Sequence, residues 1–152
     1  MSEEKNLQLV VVYEGSVEKY LVTLEVFDGC IDWAQNMTCV RVQTFFTANG
    51  DKFCLLSKDL LAVYGEDSDD WHDRSMTHRH ANIVLSGGTK ISIKMTDGGY
   101  NELMEAVPHT LDIQYECLYG RDASSRRFGL NVKRLCSISR VPASKGEMNL
   151  RR

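Results

Sequence analysis

The sequence predicts an α+β fold, a single domain of mostly antiparallel β-sheet packed with about two short helices. Three observations predict it. Alternation of apolar and polar residues with a period of two runs through most of the chain, whereas helical spacing is scarce. Turn signals built on Gly, Asn and Asp recur between the alternating runs. A length of 152 residues gives room for one sizeable core but not for two ordinary domains and a linker.

Taken in order, residues 7–13 and 17–27 are rich in β-branched and aromatic side chains, and Gly15-Ser16 marks a hairpin turn between them. Residues 40–47 give a third strand, closed by the turn signal Asn49-Gly50-Asp51, and residues 52–56 a short return strand. Ser57-Lys58-Asp59 reads as a helix start. Ser57 can accept from the first free backbone N–H groups, and Asp59 suits the positive end of a helix. Leu60, Leu61 and Tyr64 share a face, and Gly65 ends the helix. Residues 66–80 carry Glu66, Asp67, Asp69 and Asp70 in their first five positions and almost nothing apolar, so they read as an exposed loop.

The second half alternates more cleanly. Residues 82–85 and 89–96 form a hairpin about Gly87-Gly88, with Ile91, Ile93 and Met95 facing one way and Lys90, Ser92 and Lys94 the other. Asp97-Gly98-Gly99 breaks the strand. Residues 100–107 then give a short helix with Leu103, Met104 and Val107 inward, and Pro108 forces its end. Leu111, Ile113, Tyr115, Cys117 and Tyr119 alternate with polar neighbours as a half-buried strand. Residues 128–132 and 135–141 add two more, with a break near Lys133-Arg134. The chain shows no repeat, low-complexity tract or internal linker.

Composition narrows the class. Apolar residues make up 43% and charged residues 26%, which argues against global disorder. The longest apolar stretch, residues 7–13, is interrupted by Gln8 and is far too short to cross a bilayer. The chain opens acidic and polar, so a secretory signal is expected to be absent or already removed. Five cysteines, Cys30, Cys39, Cys54, Cys117 and Cys136, are odd in number and irregularly spaced. They are expected to be buried small apolar residues in a reducing, intracellular setting rather than a disulfide or zinc framework.

The net charge of −3 conceals a polarity along the chain. Residues 1–120 hold nine Lys and Arg against nineteen Asp and Glu, a balance of −10, whereas residues 121–152 hold nine against two, a balance of +7. A basic segment attracts phosphate on nucleic acid or anionic lipid, or an acidic face on another copy. The plainer account is that the two oppositely charged parts fold against each other. The candidate basic face comprises Arg121, Arg126, Arg127, Lys133, Arg134, Arg140, Lys145, Arg151 and Arg152, and the candidate acidic partner face Glu66, Asp67, Asp69 and Asp70. Tyr115, Tyr119 and Phe128 nearby could stack on bases, but their alternation fits core positions better.

Catalytic signals are weak. His72, Asp73, His78 and His80 with Asp69 and Asp70 form a loose metal-like cluster, but the spacing fits a solvated loop better than a zinc or calcium site. No nucleophile elbow selects a Cys or Ser beside a His, and neither Gly87-Gly88 nor Gly98-Gly99 sits in a phosphate-cradling motif. The chain is therefore expected to be no enzyme and to need no cofactor and no metal.

The blocks Asn82-Ile83-Val84-Leu85, Gly88-Thr89, the strand to Met95, and Met104-Glu105-Ala106-Val107-Pro108 follow in order. Phe128-Gly129-Leu130-Asn131-Val132-Lys133 and Leu135-Cys136-Ser137-Ile138-Ser139 complete the series. In order and spacing this resembles the C-terminal half of rhabdovirus matrix proteins of the vesiculovirus type, over residues 82–140. The resemblance implies an antiparallel sheet packed with a few helices. It also implies a viral structural protein that self-associates, condenses the nucleoprotein–RNA nucleocapsid and links it to a host-derived membrane and the glycoprotein tail during budding. The charge polarity adds the expectation that copies bind head to tail and that the membrane surface is anionic. The settings implied by the resemblance are the virion, the host cytoplasm, the inner face of host membranes and the nucleus. The family's basic N-terminal arm with a Pro-rich motif has no counterpart here, where the only prolines are Pro108 and Pro142. Two other classes stand beside this reading. One is a small single-strand nucleic-acid-binding β-barrel with the basic C-terminal strands as its groove, and the other is a metal-dependent enzyme built on His72, His78 and His80.

Overall fold

A computed structural model of the chain describes residues 6–35, 41–66, 78–112, 117–122 and 126–140. Strands β1 (Asn6–Tyr13) and β2 (Ser16–Thr23) form the expected hairpin, with Gly15 supplying the positive φ of 91° that a two-residue turn requires. The chain then departs from expectation. Instead of continuing as strand to residue 27, it enters helix α1 (Leu24–Gln35). Thr23 Oγ1 accepts from the Val26 N–H at 3.3 Å, so Thr23 caps the helix start, and Glu25 lies in the first turn. Phe27, Cys30, Ile31 and Ala34 recur at helical spacing and are all buried.

Strands β3 (Val42–Phe46) and β4 (Lys52–Leu56) make the second expected hairpin, a two-stranded ribbon closed by Gly50 at φ 89°. The helix expected from Ser57 is instead a turn followed by β5 (Leu60–Gly65). Asp59 adopts a left-handed φ of 60°, and the Leu60 N–H returns to the Ser57 carbonyl at 3.2 Å. The physical reason is position. β5 lies between β1 and a later strand in the middle of a sheet covered on both faces, so its residues are nearly all apolar and carry no alternation.

Strand β6 (His78–Leu85) pairs with β7 (Thr89–Thr96) across Gly87 and Gly88, both at φ 77°, and Ile91, Ile93 and Met95 are buried as expected. Helix α2 (Asp97–Asp112) starts earlier and ends later than expected, with Pro108 inside it. Proline removes the bond to the Met104 carbonyl, but Met104 and Pro108 both lie on the exposed side, where water can satisfy it. Leu111 and Asp112 are thus helical, and the strand expected from Leu111 onward is β8 (Cys117–Arg121); Ile113, Gln114, Tyr115 and Glu116 lie outside the described residues. Strands β9 (Arg127–Asn131) and β10 (Leu135–Arg140) are separated by a single 3-10 turn at Val132–Arg134, the expected break.

Three sheets result, all antiparallel: β2-β1-β5-β9-β8, β10-β6-β7 and the ribbon β3-β4. The five-stranded sheet is central. Val10, Val12, Leu61, Ala62, Phe128 and Leu130 pack against the inner side of β10-β6-β7 and against Leu103 of α2. On the opposite face, Leu9, Val11, Leu60 and Val63 pack against α1 and against Phe53 and Leu55 of the ribbon. The molecule is an α+β fold of mostly antiparallel sheet with two helices in the described residues, though the first helix is α1 and not the one expected at residues 57–65.

Burial also separates the cysteines, and Cys39 lies outside the described residues. Cys30 is buried and Cys117 partly so, and burial pushes both thiols from the ordinary value near 9 up to about 12. Cys54 and Cys136 are exposed, contrary to expectation, because they occupy outward positions of ribbon and sheet edge. Alkylation mapped by mass spectrometry should therefore label Cys54 and Cys136 well before Cys30 and Cys117. The raised pair binds protons more tightly in the folded state, so stability should fall as pH rises from about 9 toward 12. Urea titrations across that range read the loss.

A close approach supplies a second check. A Cβ on Gly120 would lie 2.8 Å from the Phe128 ring and 3.2 Å from Leu103, whereas one on Gly98 in α2 meets nothing. Gly120→Ala should destabilise by about 1–3 kcal/mol. Gly98→Ala should stabilise by up to about 1 kcal/mol in the same denaturation assay.

Candidate functional site

Arg126, Arg127 and Arg134 of the C-terminal segment do not gather on one face. Arg126 bridges the β8–β9 connection: its Nε lies 3.0 Å from Asp122 Oδ2, its N–H donates to Asp122 Oδ1 at 2.9 Å, and its Nη1 reaches the Glu66 carbonyl at 3.4 Å. The guanidinium packs over Gly65, where a Cβ would sit 3.1 Å away. Side-chain exposure is 16% for Arg126 and 1% for Asp122, so this pair is structural. Arg127 turns toward α1, with Nη1 at 2.8 Å from Asp32 Oδ1 and Nη2 at 3.8 Å from Asp28 Oδ1. Arg134 joins three turns at one end of the molecule, meeting Glu14 Oε2 at 2.6 Å, Asp59 Oδ1 at 3.3 Å and Ser86 Oγ at 3.4 Å.

Three expected phosphate ligands therefore meet carboxylates of their own chain, and the plainer account of the charge polarity holds for them. Arg121 and Lys133 are exposed. Arg140 ends β10, and Lys145, Arg151 and Arg152 lie outside the described residues. On the acidic side, Glu66 pairs with Lys19 at 3.0 Å, while Asp67, Asp69 and Asp70 lie outside the described residues. His72 and Asp73 of the loose metal-like cluster lie there too. His78 and His80 belong to β6, and among the described residues no group of three His, Cys, Asp or Glu could hold a metal ion.

A different surface groups two lysines with hydroxyl and amide side chains. β6, β7 and β10 turn Ala81, Ile83, Leu85, Ile91, Ile93 and Met95 toward the core, and the period of two then fixes what faces out. The outward positions are His80, Asn82 and Val84 on β6, Lys90, Ser92 and Lys94 on β7, and Ser137 and Ser139 on β10. Asn82 pairs with Ser92, Val84 with Lys90 and His80 with Lys94, so the side chains form cross-strand rows. His80 Nδ1 lies 3.0 Å from Ser92 Oγ, which orients the ring. No carboxylate and no Phe, Tyr or Trp occupies these eight positions. Lys90 and Lys94, four residues apart, stand about 13 Å from each other along the strand.

Such a face presents hydroxyl, amide and ammonium donors on a rigid support, the chemistry that meets phosphate oxygens without reading bases. No basic run marks this face, because Lys90 and Lys94 are isolated in the sequence. The outward alternation of Lys90, Ser92 and Lys94 was the available signal.

Removing the Arg126 side chain takes the paired guanidinium from the buried Asp122 carboxylate, which keeps its bond from the backbone N–H, and should cost about 3 kcal/mol. Arg127→Ala and Arg134→Ala break more exposed pairs and should each cost about 1 kcal/mol or less. Chemical denaturation of the three variants tests this ranking. Comparison of the chain with protein-family models, with curated proteins and with solved structures finds no match.

Proposed function

We propose that this chain is a non-enzymatic viral matrix-type structural protein that self-associates, condenses a nucleoprotein–RNA nucleocapsid and links it to a host-derived membrane during assembly and budding. The outer face of β10-β6-β7 is its phosphate-directed surface. The observation that carries this is the grouping of Lys90, Lys94, His80 and four Ser or Asn side chains on one sheet face without a carboxylate, in a chain whose first 120 residues are strongly acidic. The matrix-like blocks support the reading further. Asn82-Ile83-Val84-Leu85, Gly88-Thr89 and Ser137-Ile138-Ser139 come together as neighbouring strands of that one sheet, and Met104-Glu105-Ala106-Val107-Pro108 lies on α2, whose Leu103 packs beneath it.

The alternative, a single-strand-binding barrel, draws less support. The strand orders are those of open sheets, and the Phe128 ring is fully buried and offers no stacking platform.

Titration of single-stranded RNA against the purified protein over a salt series tests the reading. Wild type should bind with affinity that falls steeply with salt, and electron microscopy should show assemblies growing as ionic strength drops. Lys90→Glu with Lys94→Glu should weaken binding at least about tenfold and reduce the slope of log affinity against log salt by about 1.4. A protein that stays monomeric at every ionic strength and ignores RNA overturns the proposal.

A further inference from the structure

We infer that the outer face of the β3–β4 ribbon is a docking surface for an anionic lipid bilayer. The ribbon's inner side is held firmly. Phe53 stacks on Tyr20 of β2 with ring centroids 4.1 Å apart, Phe45 lies 5.9 Å from Phe53, and the Leu56 N–H donates to the Tyr13 hydroxyl at 3.3 Å. Register then sets the outer side, which presents Val42, Thr44, Phe46, Lys52, Cys54 and Leu56. Val42, Phe46 and Leu56 are 53%, 49% and 45% exposed, on a support that cannot turn them inward. Of the seven large apolar side chains exposed among the described residues, six lie on β2, at the start of α1 or on this ribbon. The backbone bond from Ala48 N–H to the Leu21 carbonyl at 2.8 Å brings exposed Leu21 to the ribbon's tip.

Charge and area select the occupant. Residues 41–58 contain Arg41, Lys52 and Lys58 against Asp51 and Asp59 lies just beyond, so this stretch is net positive although residues 1–120 as a whole are acidic, and the outer face itself holds a lysine and no carboxylate. Exposed apolar side chains with Lys52 among them and exposed Arg41 and Lys58 flanking the strands match an anionic headgroup layer over hydrocarbon. The ribbon's footprint is about 17 by 10 Å, from strand rise and spacing. That is far below the roughly 800 Å² per partner of a stable protein interface, so a second copy is the poorer fit. A bilayer sets no such minimum.

The inference deepens the proposed function by giving its membrane contact a place, and it rests on that reading for the anionic bilayer. The test is co-sedimentation of the full chain with phosphatidylcholine vesicles, with or without about one-third phosphatidylserine. Wild type should sediment with the anionic vesicles and not the neutral ones. Phe46→Ser with Leu56→Ser should lower vesicle affinity about tenfold with an unchanged circular dichroism spectrum. Emission from Phe46→Trp should shift to the blue only on anionic vesicles. Unchanged binding by the double variant, or no binding by wild type, overturns the inference. So does a change in oligomeric state of the double variant without lipid, which would make the ribbon a self-interface. RNA binding and salt-dependent assembly are measured on the same preparations. Loss of vesicle binding alone sinks only this inference, whereas loss of RNA binding and assembly sinks the proposed function.

Discussion

The fold depends on burying β5 on both of its faces. Leu61 and Ala62 of this strand look into one core, Leu60 and Val63 into the other, and its edges bond to β1 on one side and β9 on the other. A strand so placed joins the N-terminal hairpin to the C-terminal one. It also requires a cover on each side, because an uncovered face would leave Val10, Val12, Phe128 and Leu130, or Leu9, Val11 and Val63, against water. α1 with the ribbon provides one cover, and β10-β6-β7 with α2 provides the other. Each covering layer then has an outer surface of its own, set by the period of two along its strands.

Charge follows from the same arrangement. The turns of a three-layered stack crowd together at its ends, and a long cation can tie several of them at once. Arg134 does this for the turns carrying Glu14, Asp59 and Ser86. The Arg126 and Asp122 pair fixes the β8–β9 connection over Gly65, and Arg127 secures β9 to α1. Such pairs add little stability where water reaches them, and more where Asp122 is sealed. Their larger effect is to remove guanidinium groups from the pool available to a polyanion.

Much of this fold could be read from residue order, and the failures have physical causes. Hairpins closed by Gly15, Gly50 and Gly87-Gly88 were legible because a positive φ has a compositional signature. β5 was misread because a strand buried on both faces loses its alternation and imitates a short helix. α1 was missed because its apolar run continues directly from β2, and only the spacing of Phe27, Cys30, Ile31 and Ala34 betrays the change of period. Pro108 misled because the lost bond and the ring's clash with the preceding turn make a helix end the usual outcome, whereas here both Met104 and Pro108 lie on the exposed side and the helix continues. The candidate site was half legible. The outward side of Lys90, Ser92 and Lys94 followed from alternation. The partners of Arg134 did not, since Glu14 lies 120 residues away along the chain.

The two proposed surfaces sit on opposite sides of the central sheet, since β10-β6-β7 packs on one face of it and the ribbon on the other. Stacked sheets lie about 10 Å apart, which separates these outer faces by at least about 20 Å. Screening at physiological salt acts over about 8 Å. In the proposed function, a nucleocapsid on one side and an anionic bilayer on the other therefore barely repel each other through the protein. Each contact can be weak and salt-sensitive alone, yet many copies held between two extended polyanions bind both by avidity. A single basic face serving RNA and lipid alike would force the two to compete. On the proposed reading, division of the task between two layers avoids that competition, and it accounts for the distinct chemistry of the covering sheet, polar and hydroxyl-rich, and of the covering ribbon, apolar with a lysine on its outer face.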